Sequence, residues 1–179
     1  MKGIPKWFTG EFFGTFLLVF FGCGSVCAAV LTGAQVGVFQ VAIVWGLGIA
    51  TAIYLTGALS GAHLNPAVTV SAAVWSDFPK KNVAPYIIAQ MLGAFAGAAV
   101  LYFIFGESLG AFEKANNIVR GQAGSEASAM VFGEYFPNPA IFGIDEAARA
   151  LVSPLHAAMV EGFGSAVLGA ILISLVGSL

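Results

Sequence analysis

The sequence predicts an all-α membrane protein, and two features of its composition lead to that fold class. Of the 179 residues, 59% are hydrophobic and only 9% are charged, whereas an average soluble domain carries about 25% charged residues. No Asp, Glu, Lys or Arg occurs between Glu11 and Asp77, a stretch far longer than the ~20 residues that cross a bilayer. These values exclude an ordinary soluble enzyme, and a net charge of −2 provides no basic surface for nucleic acid.

Four segments of this single membrane domain, residues 1–179, are apolar and long enough to cross a bilayer. A turn-prone break at residues 32–37 divides the uncharged stretch into two of them, because each side then keeps a full span. The other two follow polar stretches of the chain. The predicted spans are residues 8–31, 38–57, 84–105 and 154–177.

A polar segment, residues 106–153, joins the third span to the fourth and is predicted to be external. Loops of this length are usually functional or disordered. The turn-rich pairs Asn116-Asn117 and Pro137-Asn138 favour an ordered wall around a vestibule.

A fifth apolar segment, residues 65–75, is too short to cross the membrane, since ten helical residues reach only about 15 Å. Charge asymmetry supports the same interpretation. Lys2 and Lys6 precede the first span, Lys80 and Lys81 precede the third, and the loop between the first two spans is uncharged. Both lysine pairs, and the N-terminus, are therefore predicted to be cytoplasmic, so the short segment must enter the membrane and return on one side.

This re-entrant half-helix begins at Asn65-Pro66-Ala67. Asparagine is a favoured N-cap and proline a favoured first helical residue. An isolated Asn-Pro pair is also common in a plain turn that starts a helix. Here the helix start is predicted to lie near the middle of the membrane, where unpaired N–H groups are costly unless they face a water-filled path. The half-helix is thus predicted to form part of a pore wall.

The arm that precedes the half-helix, Gly57–Leu64, is predicted to be extended. Its small residues would turn backbone carbonyls toward the path, followed by the side-chain amide of Asn65. Such a ladder replaces the hydration of water or of a neutral hydroxylated molecule, and the positive end of the helix repels cations and protons. The candidate pore carbonyls belong to Gly61, Ala62, His63 and Leu64.

A repeat connects the first and fourth spans, because Glu11-Phe-Phe-Gly-Thr resembles Glu161-Gly-Phe-Gly-Ser. A glutamate within a span is costly and usually functional or paired. Three crossings separate the two spans, so the fourth would open an inverted second copy. A second copy of about the same length would extend some 100 residues beyond Glu161, and the chain is therefore expected to be truncated.

The segment Ser60–Thr69, with Val44–Gly48 and Ala52–Thr56, resembles the aquaporin family and most closely its glycerol facilitator branch. The resemblance implies a bundle of six spans and two half-helices, of which this chain holds the first half, the long external loop and the first span of the second repeat. It also implies a homotetramer with one pore per subunit. No cofactor and no metal are implied.

The resemblance assigns expected roles to several side chains. Asn65 would be the first of two pore asparagines, and Glu11 and Glu161 would be buried and brace the carbonyl arms. Trp45 matches the aromatic filter that packs the carbon backbone of a solute. The apolar wall opposite the carbonyls would be extended by Ile49, Val68 and Leu168.

Other candidate residues receive structural interpretations. Asn138-Pro139-Ala140 lies in the polar loop without an apolar half-helix after it, and is read as a loop turn. His63 is expected to pack and to form hydrogen bonds. Cys23 and Cys27 share one helix face and are read as buried thiols, because too few ligands surround them for a metal.

The predicted function is a channel for glycerol and related small neutral polyols, with some water, in the cell membrane. One alternative is a water-selective pore, against which Trp45 and the long loop argue. Another is an ion- or proton-coupled carrier that uses Glu11, Glu161 and His63. A third is a non-conducting truncated fragment. No enzymatic site can be assembled from the residues of the spans.

Overall fold

The computed structural model describes residues 3–34 and 37–176, which form helices, turns and irregular segments and contain no strand. The predicted all-α class is confirmed. Lys2 and the predicted last residue of the fourth span, residue 177, lie outside the described residues. The long helices are α1, Lys6–Cys27; α2, Val38–Ser60; α3, Pro66–Trp75; α4, Val83–Ala115; and α8, Pro154–Val176. Three short helices lie between the last two, namely α5, Glu126–Ala129; α6, Pro139–Phe142; and α7, Glu146–Ala150.

Four helical stretches are long and apolar enough to cross a membrane, while α3 has only 10 residues. Two of them include a short turn of another helix type, a π-helix at Ala28–Thr32 and a 3₁₀-helix at Lys80–Asn82. The four stretches are Lys6–Thr32, Val38–Ser60, Lys80–Ala115 and Pro154–Ile171.

Helix α1 is the centre of the packing, because both α2 and α4 lie against it, while α3 packs against α4 and α8. Glycines allow the close approach of α4. A Cβ atom at Gly93 would stand 2.2 Å from the backbone oxygen of Phe12, and one at Gly97 would stand 2.9 Å from that of Phe16. Small residues four apart are the usual means by which membrane helices bring their backbones together.

The helix α2 ends later than the predicted span. It continues through Gly57 to Ser60, and Gly61 then closes it in the left-handed region, with φ +82° and its N–H donating to the Gly57 carbonyl at 2.8 Å. The predicted extended arm, Gly57–Leu64, is therefore wrong in its first four residues. The non-helical arm is Gly61–Asn65, and it keeps all of the candidate carbonyls.

The helix α4 continues ten residues past the predicted end of the third span, to Ala115. The additional residues are polar in part, but Leu109 and Glu113 are buried on one face, and burial of that face favours helix over loop. The connection between the third and fourth spans is accordingly shorter than residues 106–153.

The remainder of that connection folds back onto the end of α1. Cys27, Leu109 and Val131 form a buried cluster. The thiol of Cys27 donates to the Val131 carbonyl at 3.9 Å and that of Cys23 to the Phe132 carbonyl at 3.8 Å. Both cysteines are free and buried, as the sequence predicts.

Candidate functional site

The arm between α2 and α3 has an unusual backbone. Gly61, Ala62 and Leu64 all have positive φ angles, +82°, +49° and +53°. Residues with a side chain rarely adopt this region, and each one that does costs of order 1–3 kcal/mol. The conformation therefore persists only if surrounding contacts hold it.

The carboxylate of Glu11, in α1, provides those contacts. The side chain is completely buried. Oε1 accepts hydrogen bonds from the Ser60 hydroxyl at 2.6 Å and the His63 N–H at 3.0 Å, and Oε2 accepts one from the Leu64 N–H at 2.9 Å. Glu11 thus binds the two peptide groups on either side of His63, Ala62–His63 and His63–Leu64.

Helix α4 completes this network through Gln90, which is 1% exposed. Its side-chain N–H₂ donates to Glu11 Oε2 at 2.6 Å and to the Thr69 hydroxyl at 2.9 Å. The Tyr86 hydroxyl donates to the Ser60 carbonyl at 3.0 Å. One buried cluster therefore joins α1, α4, the arm and the half-helix.

The half-helix begins at the predicted residue. Asn65 is its N-cap, and its side-chain oxygen accepts from the Ala67 N–H at 2.7 Å, while Pro66 occupies the first turn. The side-chain amide N–H₂ of Asn65 and the backbone N–H of Val68 donate to no other group in the described part of the chain. Two donors therefore remain at the start of α3.

Acceptors lie immediately before these donors. Within residues 3–34 and 37–176, the carbonyl oxygens of Gly61, Ala62 and His63 accept no hydrogen bond. The Leu64 carbonyl differs, because it accepts a bond from the Thr15 hydroxyl at 3.4 Å. Three of the four candidate carbonyls are thus unpaired, and the fourth turns toward α1.

The imidazole of His63 lies among aromatic rings. Its Nδ1 is 3.2 Å from the Thr69 hydroxyl, and its ring centroid lies 4.7 Å from that of Phe78 and 5.2 Å from that of Tyr86. These contacts agree with the packing and hydrogen-bonding role expected for this residue.

The residues expected to form the filter and apolar wall have different environments. The indole of Trp45 packs against α1 at Gly22, where a Cβ atom would stand 2.5 Å from two ring carbons. Val68 is 5% exposed and Ile49 is partly buried, whereas Leu168 is 44% exposed. Their common role in a solute path stays a prediction.

The burial predicted for Glu161 is wrong in this structure. Its side chain is exposed, and no hydrogen bond to it is found among the described residues. The physical reason is that α8 packs mainly against α3, away from the arm, whose backbone donors already bond to Glu11. The two glutamates are therefore alike in sequence but not in environment.

Sequence reasoning did not single out four other members of this network, namely Ser60, Thr69, Tyr86 and Gln90, of which Ser60 and Gln90 bond to Glu11 directly. Gln90 carried a usable signal, since a polar side chain within an apolar span is costly and usually paired. The other three are small hydroxyls or an aromatic residue, which occur in any helix.

The second Asn-Pro-Ala sequence, Asn138–Ala140, has the same local geometry on a much shorter helix. The Asn138 side chain accepts from the Ala140 N–H at 2.8 Å, but the helix α6 that follows has only four residues. The prediction of a loop turn without a half-helix is confirmed.

Ion pairs stabilise the connection between α4 and α8. Both Glu113 oxygens accept from Arg120 Nε, at 2.8 and 2.9 Å, and hydrogen bonding to Glu113 raises the pKa of the Arg120 guanidinium above its usual range. Arg149 forms a second ion pair, in which its Nη2 donates to Glu126 Oε1. No group of three His, Cys, Asp or Glu side chains able to hold a metal is found in the described residues.

Comparisons with known proteins agree on one family. The family model described as Major intrinsic protein matches residues 3–176. The chain is 48% identical to the glycerol uptake facilitator protein of Haemophilus influenzae over 132 residues, which cover 74% of this chain and 50% of that protein. It is 46% identical over 125 residues to the propanediol uptake facilitator PduF of Salmonella typhimurium, covering 70% and 47%.

A solved structure is also similar. The X-ray structure of the aquaglyceroporin from Plasmodium falciparum matches with a TM-score of 0.52 and 32% identity, over 64% of this chain and 46% of that chain. The chain spans about half the length of the curated relatives that it matches.

Proposed function

Because the chain belongs to the major intrinsic protein family, we propose that it acts in a transmembrane channel for the passive diffusion of glycerol and related small neutral polyols, with some water. The names of its relatives, facilitators of glycerol and of propanediol uptake, support this range of solutes. One observation carries the proposal: three unpaired carbonyls stand directly before a capped helix start with unpaired donors.

This arrangement suits the chemistry of a polyol. A hydroxyl group donates one hydrogen bond and accepts others, so it can donate to the carbonyls of Gly61, Ala62 or His63 and accept from the Asn65 amide. The acceptors do not need to rearrange, because Glu11 holds the arm in place from behind. The exchange of water for protein partners then leaves few hydrogen bonds unsatisfied.

The carbon atoms of a polyol need an apolar surface opposite these groups. We assign that surface to Trp45, Ile49, Val68 and Leu168. Trp45 is the largest of the four, and an aromatic face accommodates several carbon atoms at once.

Asn65→Asp tests this proposal on the chain reconstituted into liposomes. Aspartate keeps the N-cap, which only needs a side-chain oxygen, but removes the amide donor from the path. We expect glycerol permeability to fall about tenfold or more, as the loss of one strong hydrogen bond implies. Light scattering under a glycerol gradient measures the rate.

Asn138→Asp is the matched control, because it makes the same change in the same tripeptide at the start of α6. It should leave the rate of the wild-type chain unchanged. If the wild-type chain is helical in the liposomes and passes glycerol no faster than empty vesicles, conduction by this chain is wrong and the non-conducting alternative replaces it. An equal loss in both variants would also contradict the role of Asn65.

The chain is a multi-pass membrane protein by its family and its four apolar helices. We further propose that it lies in the cell membrane with a cytoplasmic N-terminus and that subunits assemble as a homotetramer. The orientation is supported by Lys6, Lys80 and Lys81, which lie at helix ends that would share one side of the bilayer.

A further inference from the structure

We propose that Gly22 is a positioning residue that sets the location of the Trp45 ring, and through it the preference of the channel for glycerol over water. The preference rests on the function proposed above, whereas the positioning stands on geometry alone. Gly22 lies in α1 and Trp45 in α2, 23 positions later.

The two residues form a close contact that only glycine permits. A Cβ atom built on Gly22 would stand 2.5 Å from Cη2, 2.5 Å from Cζ2 and 2.6 Å from Cε2 of Trp45. The six-membered part of the indole therefore lies directly on the backbone of α1. Carbon atoms rest in contact near 3.5 Å, so any side chain at this position would displace the ring by about 1 Å.

The Trp45 ring packs against α1 on one side and remains partly exposed elsewhere. Gly22 is buried, whereas Trp45 is only partly buried. The indole N–H donates to no group in the described ranges 3–34 and 37–176. A ring displaced from α1 would move away from Gly22, and the partial exposure of Trp45 leaves room for such a movement.

A second contact of the same type fixes the register of the two helices. Gly48 follows Trp45 by three residues on α2, and a Cβ atom there would stand 2.5 Å from Cβ of Phe21, the neighbour of Gly22. Each helix therefore receives an aromatic residue of the other in a glycine notch. Because both contacts form between the same two helices, they determine together how far Trp45 lies along α1 and how α2 is rotated toward it.

Other glycines near Trp45 do not contact an aromatic ring of the neighbouring helix in this way. Apart from its two chain neighbours and the backbone of its own helix, no described atom lies within 4 Å of a Cβ atom built on Gly46, so a side chain there does not press on α1. A Cβ atom on Gly24 meets only a terminal methyl of Leu101, at 3.1 Å. Gly46→Ala is thus a matched control for Gly22→Ala.

The test uses the chain in lipid with ¹⁵N-labelled tryptophan, because its three tryptophans give three indole resonances. Trp45→Phe identifies the resonance of Trp45. We expect Gly22→Ala to shift that resonance and leave the other two in place, and Gly46→Ala to shift it far less. An unmoved Trp45 resonance in Gly22→Ala would overturn the positioning role.

Light scattering on the same samples tests the preference. We expect Gly22→Ala to lower the ratio of glycerol to water permeability about fivefold, the equivalent of roughly 1 kcal/mol, and Gly46→Ala to leave it unchanged. The effect should vanish when Trp45→Phe is present in both chains, because the shared partner is then absent. An unchanged ratio in Gly22→Ala with a shifted resonance would overturn the specificity role.

Separate controls distinguish a failure to fold from a failure to conduct. If Gly22→Ala fails to fold, the double variant Gly22→Ala with Trp45→Phe must fold, since the smaller ring relieves the contact, and its failure would overturn the proposal. If the wild-type chain passes no glycerol, the proposed function fails, while the indole resonances still decide whether Gly22 positions Trp45.

Discussion

Single residues determine the conformation of the arm. Ala62 and Leu64 both have positive φ angles, which residues with a side chain avoid. Glu11 compensates for this by accepting from the N–H groups of the two peptides on either side of His63. Hydrogen bonds to a charged acceptor contribute about 1.5–3 kcal/mol each, enough to offset the backbone strain.

We expect Glu11→Gln to destabilise the folded chain by roughly 2–6 kcal/mol. The amide group would replace one acceptor oxygen with a donor, which leaves two buried donors unpaired at about 1–3 kcal/mol each. Titration of the detergent-solubilised chain with SDS, followed by circular dichroism, measures the free energy of unfolding. Glu107→Gln is the control, because Glu107 is exposed on α4; equal values for the two variants would show that Glu11 does not hold the arm.

At the scale of elements, helix contacts depend on glycines that bring backbones together. The α1–α4 contact is the closest of these, since the Cβ position of Gly93 lies against the backbone oxygen of Phe12. A backbone atom cannot move aside as a flexible side chain can. The separation of the two helices is therefore fixed at this point.

We expect Gly93→Ala to destabilise the chain by about 1–3 kcal/mol, the usual cost of overpacking, although alanine favours helix over glycine by about 1 kcal/mol. Gly106→Ala, in the same helix, should be neutral or stabilising, because no described atom lies within 4 Å of its Cβ position apart from its chain neighbours and the backbone of its own helix. The same SDS titration compares them. A stabilised Gly93→Ala would mean that the two helices separate without loss.

Element types were predictable from the sequence, and their ends only where local chemistry determines them. The start of α3 depends on Asn65 and Pro66 alone, so it could be predicted to the residue. The ends of α2 and α4 could not. Helix α4 continues to Ala115 because Leu109 packs against Cys27 and Val131, which are distant in sequence.

The backbone segment of the candidate site could be predicted from the sequence, but the side chains that hold it in place could not. The arm and the capping asparagine are adjacent in sequence, but Gln90 is 79 residues from Glu11 and Ser60 is 49. Such pairs depend on how α1, α2 and α4 are rotated about their axes, and sequence periodicity gives little information on rotation when helices are apolar all round. The same limitation explains the error at Glu161.

At the scale of the whole molecule, the segment between α4 and α8 is held by charges as well as by its apolar cluster. Hydrogen bonding from its own backbone amide is the largest cause that lowers the pKa of Glu126, burial opposes it, and Arg149 and the Gly124 N–H lower it further. The folded chain therefore binds a proton at Glu126 less readily than the unfolded chain. The resulting stabilisation is complete above the ordinary pKa, 4.5, and is lost as the pH falls through the lower folded value.

We expect acidification from pH 6 to pH 3 to loosen this segment, which limited proteolysis with an acid-active protease can measure. Glu126→Gln should remove part of that pH dependence, because glutamine cannot be protonated in this range. Glu134→Gln is the control, as no hydrogen bond to Glu134 is found among the described residues. An identical pH dependence in Glu126→Gln and the wild-type chain would contradict the role of this ion pair.

A buried carboxylate beside the proposed solute path affects how that path interacts with ions. Rings of acidic side chains are what cation channels use to attract ions, and Glu11 places one negative charge directly behind the arm. Its two oxygens, however, already receive four hydrogen-bond donors and have no exposed surface. Toward a passing sodium ion, this carboxylate behaves like a binding site that is already occupied, so the chain keeps a charge within the membrane without offering it to ions.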